Sequence, residues 1–430
     1  MAEPVASVAE NYGVESKIAP REIFAGSGSL MTNIESGDAA RAAASLRGDF
    51  PHQGAANALI HAGFVVSGVI TILLGPILPI LIARWSLSDE RAGLFFTVQF
   101  IGNLLGVASL GALVSRRGYG ATLIAGYLSM ALGVAGLALG SEVFGLLATA
   151  VFGYGLGLVL AASNLWVAEV AAGRRAAAVS ILNVAWGIGA IACAPLVMFA
   201  HRFHELAPLL YCVAGLSLLV AAGIAVMDIE PRSHKGTDAS APTLKIGERT
   251  ALALGALFFL YVGTENSIGG WGAAFAKRVG GGAGNAWELA PMFFWVGLIA
   301  GRTLVSAILP RIGERFFVVA GLIVAGFANA ALLWVSGFRA AIACLVVAGV
   351  GLAAVYPSLI ASMVGYYGTR ARRTGNILFA LASCGGAIMP WLVGFVSTHA
   401  ASLRAGLLAP MVGCLAMLGL QFILPKPILI

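Results

Sequence analysis

A chain of 430 residues that is 59% hydrophobic and 10% charged, with a mean hydropathy of +0.92, is too apolar for a soluble globular protein, where about a quarter of residues are charged. The formal charge of +7 does not point to nucleic acid, because the basic residues sit in short loops between apolar runs. The composition is that of a polytopic membrane protein.

Residues 1–56 are rich in Ala, Ser, Gly and charge and carry no sustained apolar run, so a disordered cytoplasmic tail is expected there. No charged n-region leads into an apolar h-region, and no cleaved signal peptide is expected. From Asn57 onward twelve apolar runs follow, at 58–82, 91–114, 119–139, 143–168, 176–200, 206–227, 251–275, 287–309, 315–336, 339–365, 373–396 and 401–424. Each holds about twenty residues, enough to cross a bilayer as a helix. One long break, 228–249, carries Pro231, Gly236, Pro242 and charge, and reads as a cytoplasmic linker. The expected fold is an all-α membrane protein of twelve transmembrane helices in two six-helix bundles, 57–227 and 250–430. The five cysteines (Cys193, Cys212, Cys344, Cys384, Cys414) fall inside apolar runs without metal-ligand spacing and read as small buried hydrophobes.

Basic residues orient the chain. With both termini inside, the inner side holds about eighteen Lys and Arg, among them Arg116, Arg117, Arg174, Arg175, Arg370, Arg372 and Arg373. The outer side holds about seven: Arg84, Arg91, Arg202, Lys277, Arg278, Arg339 and Arg404. Multi-pass insertion in the cell membrane is therefore expected, with cytoplasmic termini.

The halves repeat. Gly153–Leu165 in the fourth run matches Ala348–Leu359 in the tenth, and a basic loop follows each. Each loop leads to a run ending in Gly, Ala and Pro: Gly189–Pro195 and Gly385–Pro390. Two six-helix halves with matched signatures suit an alternating-access transporter whose site lies between them near the midplane. After the second run, Gly111, Arg116 and Gly118 stand in register with the major facilitator signature G-x-x-x-D-[RK]-x-G-[RK]-[RK], and Arg117 falls at its free position. Ser115 replaces the acid, and Tyr119 and Gly120 replace basic residues. The chain resembles that superfamily over 57–425. Three patches, G-T-E-N-S-I-G-G-W in the seventh run, Ala162–Ala190, and Cys384–Gly394, are most similar to the fucose/glucose–cation symporter family. That resemblance implies a sugar class of solute moved with protons or sodium.

The stretch Tyr261–Trp271 carries the strongest chemical signal. Glu265 lies about midway through a span, where a carboxylate costs roughly several kcal/mol unpaired and is rarely kept without a use. Desolvation disfavours its charged form, which suits a group that loads and releases a proton. Gly263, Gly269 and Gly270 flank it and leave backbone open to a neighbour or ligand. Arg302, alone among basic residues within a span, is the natural partner, at a backbone offset of roughly 9 Å that a long side chain or a water could bridge. Span 1 contains no Asp or Glu, so proton coupling, sodium coupling and uncoupled transport all stay open.

Candidate solute ligands are Gln99, Asn103, Asn164, Asn183 and Asn266, since amides bind hydroxyls without full charge. Trp186 and Trp271 could stack on a sugar ring, and Tyr356 occupies the repeat position of Asn164. For each amide the plain alternative is a helix–helix hydrogen bond of about 1 kcal/mol or less. Gly111, Arg116, Arg117 and Gly118 are the candidate gating motif. His201 and His204 stand three apart in an outer loop, with too few ligands for a metal. Neither a nucleophile–base set nor a metal cluster occurs in the spans, so an enzyme is not expected, nor a cofactor. No nucleotide-binding loop is present to supply energy from ATP. The expected protein is a monomeric secondary transporter of a sugar or similar polar solute, coupled to H+ or Na+; an exporter of amphiphilic drugs or metabolites is the alternative.

Overall fold

The structure is a computed structural model and describes residues 54–423 apart from 172–173, 204, 228, 230–247, 281–283, 313 and 368–370. Nearly all of the expected tail, most of the expected linker, and His204 lie outside the described residues. Among the described residues there are helices and no strand. In chain order they are α1 (Gly54–Ile72), α2 (Leu74–Trp85), α3 (Asp89–Gly136), α4 (Glu142–Val170), α5 (Arg175–His201), α6 (Ala207–Val226) and α7 (Glu248–Arg278). After a short 3-10 turn (Ala286–Leu289) come α8 (Ala290–Ile312), α9 (Glu314–Leu332), α10 (Phe338–Leu352), α11 (Val355–Tyr367), α12 (Ala371–His399), α13 (Leu403–Gly406) and α14 (Leu408–Gln421).

Twelve spans follow from these elements. α3 holds 48 residues, about 72 Å at helical rise, more than twice a bilayer's apolar thickness. Its backbone leaves helical geometry at Gly118 (φ 79°, ψ 176°), a region glycine enters without steric cost, and the chain turns back there into a second span. α1 and α2 form one span broken at Leu73, because Pro76 has no N–H to bond the Ile72 carbonyl. Pro357 likewise separates α10 from α11.

Packing within each half relies on small residues that bring backbones together, as membrane helices do in the absence of a hydrophobic drive between them. A methyl group at Gly102 or Gly153 would strike the backbone carbonyl of Ala150 or Gln99 across the α3–α4 contact. The same closeness recurs between α8 and α10, where Gly297 abuts the Val346 carbonyl and Gly349 that of Phe294. Gly189 presses on the backbone of α1 at Val65, and Gly385 on that of α7 at Phe259. The repeat-related helix pairs thus meet in the same way, which makes the two six-helix bundles pseudo-symmetric.

Among the described residues, the side-chain bonds that join the halves gather mainly at one end, the end that carries Arg84, Arg91, Arg202, Lys277, Arg278, Arg339 and Arg404. There Arg278 of α7 pairs with Asp89 of α3, with Nη1 to Oδ2 at 2.7 Å. Ser397 of α12 donates to the same carboxylate. The Glu90 amide donates to Thr398 at 2.9 Å, and His201 of α5 meets Glu288 of the 3-10 turn. Toward the middle, Thr97 donates to the Ala387 carbonyl (2.8 Å) and Ser383 to Asn103 (3.5 Å).

Candidate functional site

Glu265 is paired. Its Oε1 accepts from the Tyr261 hydroxyl at 2.7 Å and from Arg302 Nη2 at 3.3 Å. Arg302 Nη2 also donates to the Tyr261 oxygen at 3.1 Å, so carboxylate, phenol and guanidinium form a closed triangle. Helical geometry explains it: Tyr261 is four residues before Glu265 and shares its face of α7, while Arg302 reaches across from α8. Tyr356 stacks on Tyr261 with ring centroids 5.5 Å apart and closes the apolar side. The Arg302 side chain is 31% exposed and that of Glu265 11%, so solvent meets the pair from the arginine. The long side chain spans the backbone offset that spacing gave.

One turn further along α7 a narrow cavity of about 10 Å³, room for about one water, lies between the halves. Thr71, Ile72 and Gly75 line it from α1 and α2, Phe96 and Gln99 from α3, Asn266, Gly269 and Gly270 from α7, and Trp295 from α8. Gln99 is 4% exposed and donates to the Thr71 carbonyl at 3.1 Å. Trp186 donates to the Thr71 hydroxyl at 3.2 Å, and its ring meets Trp295 edge to face at 5.5 Å across the two halves. Asn266 bonds the Val262 carbonyl of its own helix at 2.8 Å and keeps its other polar atoms at the cavity wall. The Trp295 N–H is buried without an acceptor. A donor left so costs about 1–3 kcal/mol, which a ligand oxygen would recover.

The structure thus brings together Gln99, Trp186 and Asn266 beside the Glu265–Arg302 pair, with Tyr356 stacked on its Tyr261, and places the remaining candidates elsewhere. Asn103 faces Ser383 of α12. Asn164 and Asn183 bond their own helices at 2.7 and 2.8 Å and each other at 3.4 Å. Trp271, expected to offer a ring face, is fully buried, donates its N–H to the Pro390 carbonyl at 2.9 Å and packs on Phe96. Gly111, Arg116 and Arg117 lie exposed midway along α3, just before the turn that Gly118 makes. Tyr119, where the signature has a basic residue, donates to Glu169 at 2.7 Å. Thr71, Tyr261 and Trp295 were not among the candidates. For Tyr261 the i,i+4 spacing from Glu265 was a readable signal; for Trp295, within an apolar F-F-W run, no sequence signal distinguishes it from core.

The profile of the Major Facilitator Superfamily matches residues 59–390. Among curated proteins nothing matches. Among solved structures, a D-xylose-proton symporter superposes with TM-score 0.74 at 16% identity, covering 87% of this chain and 99% of that one. A bacterial homolog of the human lysosomal transporter Spinster, in an inward-facing and unoccupied conformation, gives 0.69 at 15%, covering 87% and 97%. The E. coli fucose:proton symporter FucP gives 0.57 at 17%, covering 85% and 98%. At such identities these likenesses speak to the fold, and they agree with the profile match across most of the chain. This chain belongs to the major facilitator superfamily and has its transporter fold.

Proposed function

We propose that the protein is a secondary active transporter that moves a sugar or similar small polar solute by alternating access, coupled to protons, within the fucose/glucose–cation symporter branch. The observation that carries this reading is a cavity between the halves, walled by neutral donors and acceptors, one turn from the carboxylate–guanidinium pair. Sugar hydroxyls suit Gln99, Asn266, Thr71 and the open Trp295 N–H, and the edge-to-face Trp186–Trp295 pair supplies an apolar wall. The xylose and fucose symporters among the structural neighbours point to the same class of solute.

Glu265 carries the proton in this reading. Ionised, it is held by Arg302 and Tyr261 together. Protonated, it can donate to the Tyr261 oxygen, which keeps its bond from Arg302. The tyrosine therefore keeps a hydrogen bond to the arginine in either state, and solvent at the 31% exposed Arg302 side chain shares its charge when Glu265 is protonated. Sodium at the same carboxylate is the other coupling ion to test. The end where the halves are bonded faces outside in this reading, following the basic-residue count; the chain before α1 is the cytoplasmic tail and that between α6 and α7 the linker between halves. The protein works as a monomer in the cell membrane.

The test is uptake of labelled sugars by purified protein in liposomes under a proton gradient and then a sodium gradient, with counterflow as the uncoupled control. Accumulation driven by protons supports the reading. Export of an amphiphile with no sugar moved in either assay overturns it.

A further inference from the structure

Glu288 sits in the 3-10 turn before α8 with its side chain fully buried at the bonded end. Its Oε1 meets Nδ1 of His201, the last residue of α5, and its Oε2 has no partner among the described residues. Asn285 Nδ2 lies 3.3 Å from the same His201 nitrogen. Among the neighbouring charges, Lys277 of α7 lies over the Trp287 ring at 4.7 Å and its charge also favours the ionised form of Glu288. Arg278 is held by Asp89, and Arg84 of α2 is bonded to the Ala138 carbonyl. On α5 and just after it Arg202 and Glu205 are exposed, and α8 has no ionisable residue before Arg302. His201 belongs to one half and Glu288 to the other, so opening this end must part them.

We propose that His201 and Glu288 form a proton-binding site assembled by closure: buried together they hold one proton between them, and parted in water they release it. A carboxylate without solvent, with one oxygen unpartnered, is too costly to stay charged and unmatched. The buried pair is therefore net neutral, as imidazolium with carboxylate or imidazole with carboxylic acid. Hydrated apart above the ordinary histidine range, the two carry one net negative charge. Closure takes up a proton, so acid favours the closed end and alkali favours opening. The neighbouring Asp89–Arg278 lock differs, because a guanidinium does not give up its proton. This inference is independent of which solute is carried.

The experiment measures the distance across this end by pulsed electron resonance in lipid nanodiscs, with spin labels on keto-bearing residues replacing exposed Gly140 and Ser336, one in each half. The expected result is an open-to-closed ratio that rises with pH, by at most about tenfold per pH unit, the limit for one linked proton. Glu288→Gln should abolish the rise above about pH 7, whereas His201→Asn should keep it, because the buried Glu288 carboxyl must then take the proton itself on closure. Asp89→Asn should raise the open fraction at every pH and leave the dependence in place. A wild-type ratio flat from about pH 5 to 9 overturns the proposal, as does a rise above about pH 7 that survives Glu288→Gln. Should one variant fail to fold, the other and the wild-type profile decide.

Discussion

The two halves share one helix-packing plan and face the same cavity with different chemistry. From α1–α6 come uncharged groups: Thr71, Gln99 and Trp186, bonded to one another. From α7–α14 come Asn266 and the unpartnered Trp295 N–H, with Glu265, Arg302 and Tyr261 one turn away. The repeat-related contacts, Gly189 on α1 and Gly385 on α7, match almost element for element. Symmetry therefore belongs to the scaffold, where glycines set how closely backbones approach. Charge belongs to one half. A rocking motion needs two equivalent bundles, whereas a single ionisable pair is enough to sense a cation.

The largest expected effect comes from removing that charge asymmetry. Glu265→Gln removes the carboxylate of the pair and leaves the Arg302 cation beside the cavity. Accumulation against a gradient should be lost, at least tenfold in the steady-state level, while counterflow persists. Loss of both would mean that Glu265 holds the fold or the solute, and that the halves do not divide the labour this way.

Next in size is the pair itself. Arg302→Leu strands a carboxylate whose side chain is 11% exposed, and breaking a buried pair from one side costs about 3–5 kcal/mol. The melting temperature in detergent should fall sharply. The Glu265→Leu, Arg302→Leu double variant should recover much of it, since replacing both charges by apolar groups is often neutral. Additive losses in the double variant would show that the two side chains act separately despite their 3.3 Å contact.

Most of the architecture was readable in the sequence because bilayer thickness imposes a length on every span and glycine spacing imposes a contact. The repeat between Gly189–Pro195 and Gly385–Pro390 became a pair of equivalent helix contacts, at Val65 and Phe259. Pairing of Glu265 with Arg302 was suggested by depth, which two antiparallel helices fix without knowledge of rotation. Rotation is where sequence falls short. Trp271 and Trp295 are each an aromatic in an apolar run, yet one points into α12 and the other to the cavity. Apolar helices that are hydrophobic all round carry little moment to say which face looks inward. The Asn164–Asn183 contact was hidden for the same reason, as was His201–Glu288, which joins residues far apart in the chain.

Cavity volume gives a smaller effect. A methyl group at Gly269 would stand 3.3 Å from both Phe294 and the Trp295 N–H, close but without backbone collision. Gly269→Ala should fold and insert normally and raise KM for the solute, about tenfold if the methyl displaces one hydrogen bond and some contact. Unchanged KM would place the solute elsewhere between the halves.

The finest distinction is between the two tryptophans. Trp295→Phe keeps the ring packed against Trp186 and removes one N–H that has no protein acceptor. A hydrogen bond of about 1 kcal/mol to a solute oxygen then disappears, so KM should rise roughly fivefold with little change in melting temperature. Trp271→Phe removes an N–H already given to the Pro390 carbonyl. Its effect should be the reverse: stability lower by about 1 kcal/mol, with KM unmoved. The two substitutions are chemically identical, so any difference in KM comes from where each N–H points. If Trp271→Phe moves KM and Trp295→Phe does not, the solute sits against α12, and the N–H now bonded to Pro390 must turn to meet it.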